Sequence, residues 1–106
     1  MEMNKPIVLC IPRANSSVTE QQVRKTFNDL NLGKLDKIHV RDALSSKGEQ
    51  IKRIFIHYNE WNESENAQIA KERLSNDKDI KVIYDGPWYW KVVSYKGPEM
   101  RKKKVI

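Results

Sequence analysis

Two short stretches of this chain alternate cations with apolar residues at the spacing of a β-strand. In Lys37-Ile38-His39-Val40-Arg41 a basic residue or imidazole stands at every second position, and in Arg53-Ile54-Phe55-Ile56-His57 a phenyl ring stands between an arginine and a histidine. Successive side chains of a pleated strand point to opposite faces. If Ile38, Val40, Ile54 and Ile56 face a core, then Lys37, His39, Arg41, Arg53, Phe55 and His57 share the solvent side. The same parity adds Val8 and Cys10 from the first apolar run, and Lys91, Val93 and Tyr95 from the last. Every charge assigned to this side is basic. Rings among cations are the chemistry that holds single-stranded nucleic acid, because bases stack on π-faces or guanidinium planes while cations hold phosphates. A basic sheet face also serves solubility and discourages edge pairing, so the pattern alone does not specify a ligand.

Catalytic chemistry is harder to find. His39 and His57 fall on strands expected to be neighbours, as a proton relay or a pair of metal ligands would require. They lack companions: the single Cys10 has no zinc-ligand spacing, and no carboxylate joins them on that side. There is no Gly-rich phosphate loop, no nucleophile elbow and no pair of carboxylates in a catalytic setting. The expectation is a binding module rather than an enzyme, with no metal, cofactor or small-molecule substrate.

The elements that must position these residues can be read from periodicity. Ile7 to Ile11 is an apolar run closed by Pro12, a strand buried on at least one face. Thr19 with Gln22 three residues later fits a capping box, and Val23, Phe27 and Leu30 form one stripe of a helix over about Glu20 to Asn31, with Gly33 as its stop. Strands follow over Leu35 to Asp42 and Gln50 to Tyr58, joined by the polar Ser45-Ser46-Lys47-Gly48. A second helix, about Glu63 to Ser75, carries the stripe Ala67, Ala70 and Leu74. Ile80 to Tyr84 and Trp88 to Tyr95 flank Asp85-Gly86-Pro87, a hairpin signal in which Pro87 argues against an ideal two-residue turn. Trp61, Trp88 and Trp90 are expected to pack rather than to meet a ligand, with Trp90 and Val92 inward.

The chain has 106 residues and 39% hydrophobic content, room for one domain with a small core in which three Trp, four Tyr and two Phe carry much of the area. One cysteine excludes an intramolecular disulfide and suits a reducing, intracellular compartment, either cytoplasm or nucleus. No run approaches the roughly 20 apolar residues of a membrane helix, so no membrane partner is expected. The formal charge is +6, and four of those units lie between Lys96 and Ile106, where Lys96, Arg101, Lys102, Lys103 and Lys104 stand against Glu99. The expected organisation is a domain over residues 1–97 and a basic, disordered tail over 98–106. Arg101, Lys102, Lys103 and Lys104 suit a phosphate-contacting arm or a nuclear-localisation signal, or equally a solubilising end.

The order strand, helix, strand, strand, helix, strand is the split βαβ arrangement. Within it Thr19-Glu20, Val23, Phe27, Leu32-Gly33, Leu35, Ile38 and Val40 resemble the first helix and second strand of the RNA recognition motif (RRM) family, and Ala67, Ala70 and Leu74 resemble its second helix. The resemblance covers about Lys5 to Tyr95. Pro87-Trp88-Tyr89-Trp90-Lys91 is also similar to a segment of small RRM-like proteins of large DNA viruses. It implies an α+β, ferredoxin-like βαββαβ fold: a four-stranded antiparallel sheet with two helices on one face, here with a short hairpin strand before the last strand. It also implies RNA binding on the open face. The family's stacking set is depleted, since Val8 stands where the first-strand motif has an aromatic, and Arg53 where the third-strand motif has its first. A base over Val8 loses a platform worth about 1–3 kcal/mol. The expected function is single-stranded nucleic-acid binding, with RNA first, through Lys37, His39, Arg41, Arg53, Phe55, His57, Lys91, Tyr95 and the tail. The rival is a protein-interaction module using Val8, Cys10 and Val93.

Overall fold

The computed structural model describes residues 7–95. In chain order its elements are β1 (Ile7–Asn15), α1 (Glu20–Leu30), β2 (Gly33–Leu44), β3 (Gln50–Trp61), α2 (Glu65–Ser75), β4 (Ile80–Asp85) and β5 (Trp88–Ser94). The strands form one antiparallel sheet in the order β2-β3-β1-β5-β4. The expected four-stranded sheet is therefore corrected to five: the hairpin strand before the last is a full member and makes one edge. Its residues explain why. Val82 is buried opposite Trp90, and Tyr84 stacks on the Trp90 ring at 4.3 Å, so alternate side chains of β4 join the common core. The turn that Pro87 complicates is made with Gly86 at φ 58° and a register shift between Ile83 and Asp85.

Element ends differ from the sequence reading where backbone irregularities hide the alternation. Pro12 does not close β1; the strand continues to Asn15 through a register shift between Ile11 and Ala14, a place where a missing N–H breaks no regular ladder. Gly33 is not the stop of α1. Asn31 caps that helix in the left-handed region at φ 56°, while Gly33 opens β2 so close to β3 that a Cβ would run into the carbonyl oxygen of Glu60. The start of α1 is as the spacing predicts, with the Gln22 N–H donating to Thr19 Oγ1 at 3.2 Å. Helix α2 starts two residues later than expected because Ser64 caps it, its Oγ accepting from the Ala67 N–H.

Both helices lie on one face of the sheet. Val23 and Phe27 of α1 and Ala67, Ala70 and Leu74 of α2 share a single buried cluster with Leu9, Ile11, Ile38, Ile54, Ile56, Val82, Trp90 and Val92, and Val40 packs against it. The parity read from the sequence thus holds for both β2 and β3. Trp90 lies between Phe27, at 6.3 Å and nearly parallel, and Tyr84. Trp61 meets Tyr58 edge-on at 4.9 Å and donates from Nε1 to the Ala67 carbonyl at 2.8 Å, which ties the end of β3 to α2. Tyr58 Oη and Trp90 Nε1 are buried and meet no hydrogen-bond partner among the described residues, and burial pushes the Tyr58 hydroxyl pKa upward. No helix among the described residues is long and apolar enough to cross a membrane.

Candidate nucleic-acid interface

Strand register arranges the open face in rows. Lys37 lies opposite His57, His57 opposite Val8, and the Tyr95 N–H donates to the Val8 carbonyl at 2.9 Å. Two residues along, His39 lies opposite Phe55, Phe55 opposite Cys10, and Cys10 opposite Val93. Two further along, Arg41 lies opposite Arg53 on one side of the sheet and Lys91 opposite Lys81 on the other. The eight basic or aromatic residues that the sequence assigned to this face within residues 7–95 therefore occupy one surface, together with Val8, Cys10 and Val93. Arg101, Lys102, Lys103 and Lys104 lie outside the described residues.

Three expectations need correction. Trp88, expected to pack, is 64% exposed, because its place at the turn leaves the ring beyond the core. Phe55 is not a ring in water. It is only 9% exposed, with Tyr95 edge-on at 4.9 Å and His39 edge-on at 6.3 Å. Edge-to-face contacts of this kind hold aromatic groups together, and at 9% exposure little of the Phe55 ring is open to a base. Phe55 therefore anchors the positions of Tyr95 and His39. Nor is the face purely basic. Lys91 Nζ lies 3.5 Å from Asp79 Oδ2, and Asp36, at an irregularity of β2, is near enough to His57 to act on its charge. Arg41 and Arg53 differ from Lys91 in this respect, since no carboxylate pairs with either among the described residues.

Partial burial is the main reason that the His57 pKa falls below its ordinary 6.5; Lys37 and His39 push the same way and Asp36 opposes them. The lowered pKa favours the neutral imidazole in the free protein. Because the folded pKa lies below the unfolded one, the stability this group contributes is present above 6.5 and declines as pH falls from there towards the folded value. A phosphate drawn into the Lys37–His57 row acts in the opposite sense and favours the imidazolium. Affinity for a single strand is then expected to rise as pH is lowered from about 7.5 to about 5.5, by no more than about tenfold per pH unit for one linked proton. His57→Gln should reduce that dependence, read by fluorescence-anisotropy titration at constant salt.

No protein-family model matches this chain, and none of the curated proteins or solved structures does. Among the described residues, no three His, Cys, Asp or Glu side chains come together to hold a metal. His39 and His57 are offset diagonally across β2 and β3 rather than directly opposed. A hollow of about 390 Å³ beside Ser16, Asp42, Leu44 and Lys52 lies at the turn end of β2 and β3, and its single carboxylate and single ammonium form no catalytic set.

Three residues of the face escaped the sequence reading. Tyr89 shares the parity of Lys91 and Val93 on β5, and Lys81 and Ile83 lie beside it on β4. The signal was present: the alternation that placed Lys91 outward continues back to Tyr89. Tyr89 is 49% exposed, and Lys81 Nζ lies 5.3 Å from its ring centroid.

Proposed function

We propose that this chain is a ferredoxin-like domain of the RRM type that binds single-stranded nucleic acid, RNA in the first instance, on the sheet face opposite its helices. The strand order β2-β3-β1-β5 and the packing of both helices on the other side support the fold reading. The observation that carries the function is the direct opposition of Arg41 and Arg53 across β2 and β3, with no carboxylate partner among the described residues. Like charges directly opposite on neighbouring strands are destabilising, so a protein that keeps them gains from an anion placed between them. A phosphodiester chain is such an anion, and the guanidinium planes offer bases a surface as well.

The test is a titration of the protein into a labelled single strand at several salt concentrations. If Lys37, Arg41 and Arg53 each meet a phosphate, log K should fall with log salt at a slope of about −2, so affinity drops on the order of tenfold between roughly 50 and 200 mM salt. Absence of binding at low salt would end this reading. A second reading, a protein-interaction surface, is favoured by the covered Phe55 and by exposed Ile83 and Trp88. A partner retained at high salt, with no oligonucleotide binding at low salt, would support it.

A further inference from the structure

The covering of Phe55 raises a question for a face that binds bases: where does an open ring stand? Among the outward residues of β5, Tyr89 answers it. It is half exposed, lies opposite Ile83 of β4, and has Lys81 over its ring and Lys91 two residues along the same strand. Ile83 is itself 66% exposed, so the ring lies beside an apolar surface reachable from solvent. A half-exposed phenol with the Lys81 ammonium beside its ring combines stacking area with phosphate neutralisation, Lys91 being paired with Asp79.

We propose that Tyr89, with Lys81, forms a stacking subsite for one base at the β4–β5 edge of the sheet. The strand bound to the Arg41–Arg53 pair then crosses the sheet to reach it. Tyr89 is on β5, two strand spacings from β3 and three from β2, roughly 10–14 Å at the usual distance between neighbouring strands. The occupant is a polyanion with planar groups, because the cation beside the ring is the complement of phosphate and the ring is the complement of a base. This inference rests on the proposed function, and the experiment separates the two.

Tyr89→Ala, Tyr89→Phe and the parent are titrated into labelled single strands of about 2 and about 12 nucleotides, lengths chosen to fall short of and to exceed the crossing. Tyr89→Ala should weaken the longer strand by about five- to hundredfold and leave its salt slope unchanged, since stacking releases no counterions. It should leave the shorter strand, held at the arginine pair, nearly unaffected. Tyr89→Phe keeps the ring and should bind like the parent. Circular dichroism melting confirms that the alanine variant is folded. A parent that binds strands while Tyr89→Ala binds both lengths equally well overturns the subsite alone, whereas a parent that binds neither overturns the proposed function and the subsite with it. Sedimentation provides the remaining arm: a dimer abolished by Tyr89→Ala, with strand affinity intact, would assign the ring to a protein interface and overturn the subsite.

Discussion

Trp90→Ala is expected to remove about 3–5 kcal/mol of stability, a large share of the roughly 5–15 kcal/mol that holds a small domain together. The ring is 3% exposed and lies between Phe27 of α1 and Tyr84 of β4, so its loss opens a cavity shared by a helix and both strands of the hairpin. Trp90→Phe should cost far less, about 1 kcal/mol. It retains a ring against Phe27 and Tyr84, and it deletes the Nε1 donor, which is buried without a partner among the described residues. An unsatisfied buried donor costs about 1–3 kcal/mol, which offsets much of the lost packing. Urea denaturation followed by circular dichroism measures both variants. Equal losses for alanine and phenylalanine would mean that Nε1 is hydrogen-bonded after all, and no loss for alanine would mean that the hairpin does not pack through this ring.

The parts of the fold legible in the sequence are those where side-chain period and burial agree. Ile38 and Val40 alternate with charged or polar neighbours, and Ile54 and Ile56 with Arg53, Phe55 and His57, at the period of a strand facing a core. Thr19 with Gln22 was legible because a cap is a local hydrogen bond between residues three apart. Less legible were the places where the backbone departs from its period. The passage of β1 through Pro12 depends on a register shift that only its partner β3 reveals. The role of Gly33 depends on the carbonyl of Glu60, distant in sequence, and a glycine after a helix reads as a stop until that neighbour is known. Strand β4 was read as an accessory because six residues carry little pattern, but Val82 and Tyr84 give it the same claim on the core as any other strand.

The site divides along the same line. Parity placed Lys37, His39, Arg41, Arg53 and His57 together, because parity is a property of each strand alone. It could not say which rings would be open. The exposure of Phe55 is decided by Tyr95, which directly follows β5, two strands away in the sheet, and the charge environment of Lys91 by Asp79, in the loop before β4. Both are tertiary contacts between residues with no sequence relation. The shift from a central ring to Tyr89 at the edge is therefore visible only after the strands are assembled.

Arg53→Glu is expected to move stability and binding in opposite directions. In the folded protein Arg41 and Arg53 face each other directly across two strands, and replacing one by glutamate converts a like-charge pair into an opposite-charge pair. Cross-strand pairs of that kind contribute about 0.2–1 kcal/mol, so the variant should be as stable as the parent or slightly more so. Its affinity for a single strand should fall about ten- to hundredfold, because a hydrogen bond to a charged group is worth about 1.5–3 kcal/mol. The salt slope should become shallower by at least about 0.7, the counterion contribution of one phosphate on a single strand. The double variant Arg41→Glu/Arg53→Glu restores a like-charge pair, now acidic, and should lose the stability gain while binding more weakly still. Denaturation and anisotropy titrations at two salt concentrations read all of these effects. An arginine kept only for packing or solubility would give losses in stability or no change in either measurement, and unchanged affinity in Arg53→Glu would remove the arginine pair from the interface. A gain in stability coupled to a loss in binding has a simpler origin: two cations held together at a cost that an anionic ligand relieves.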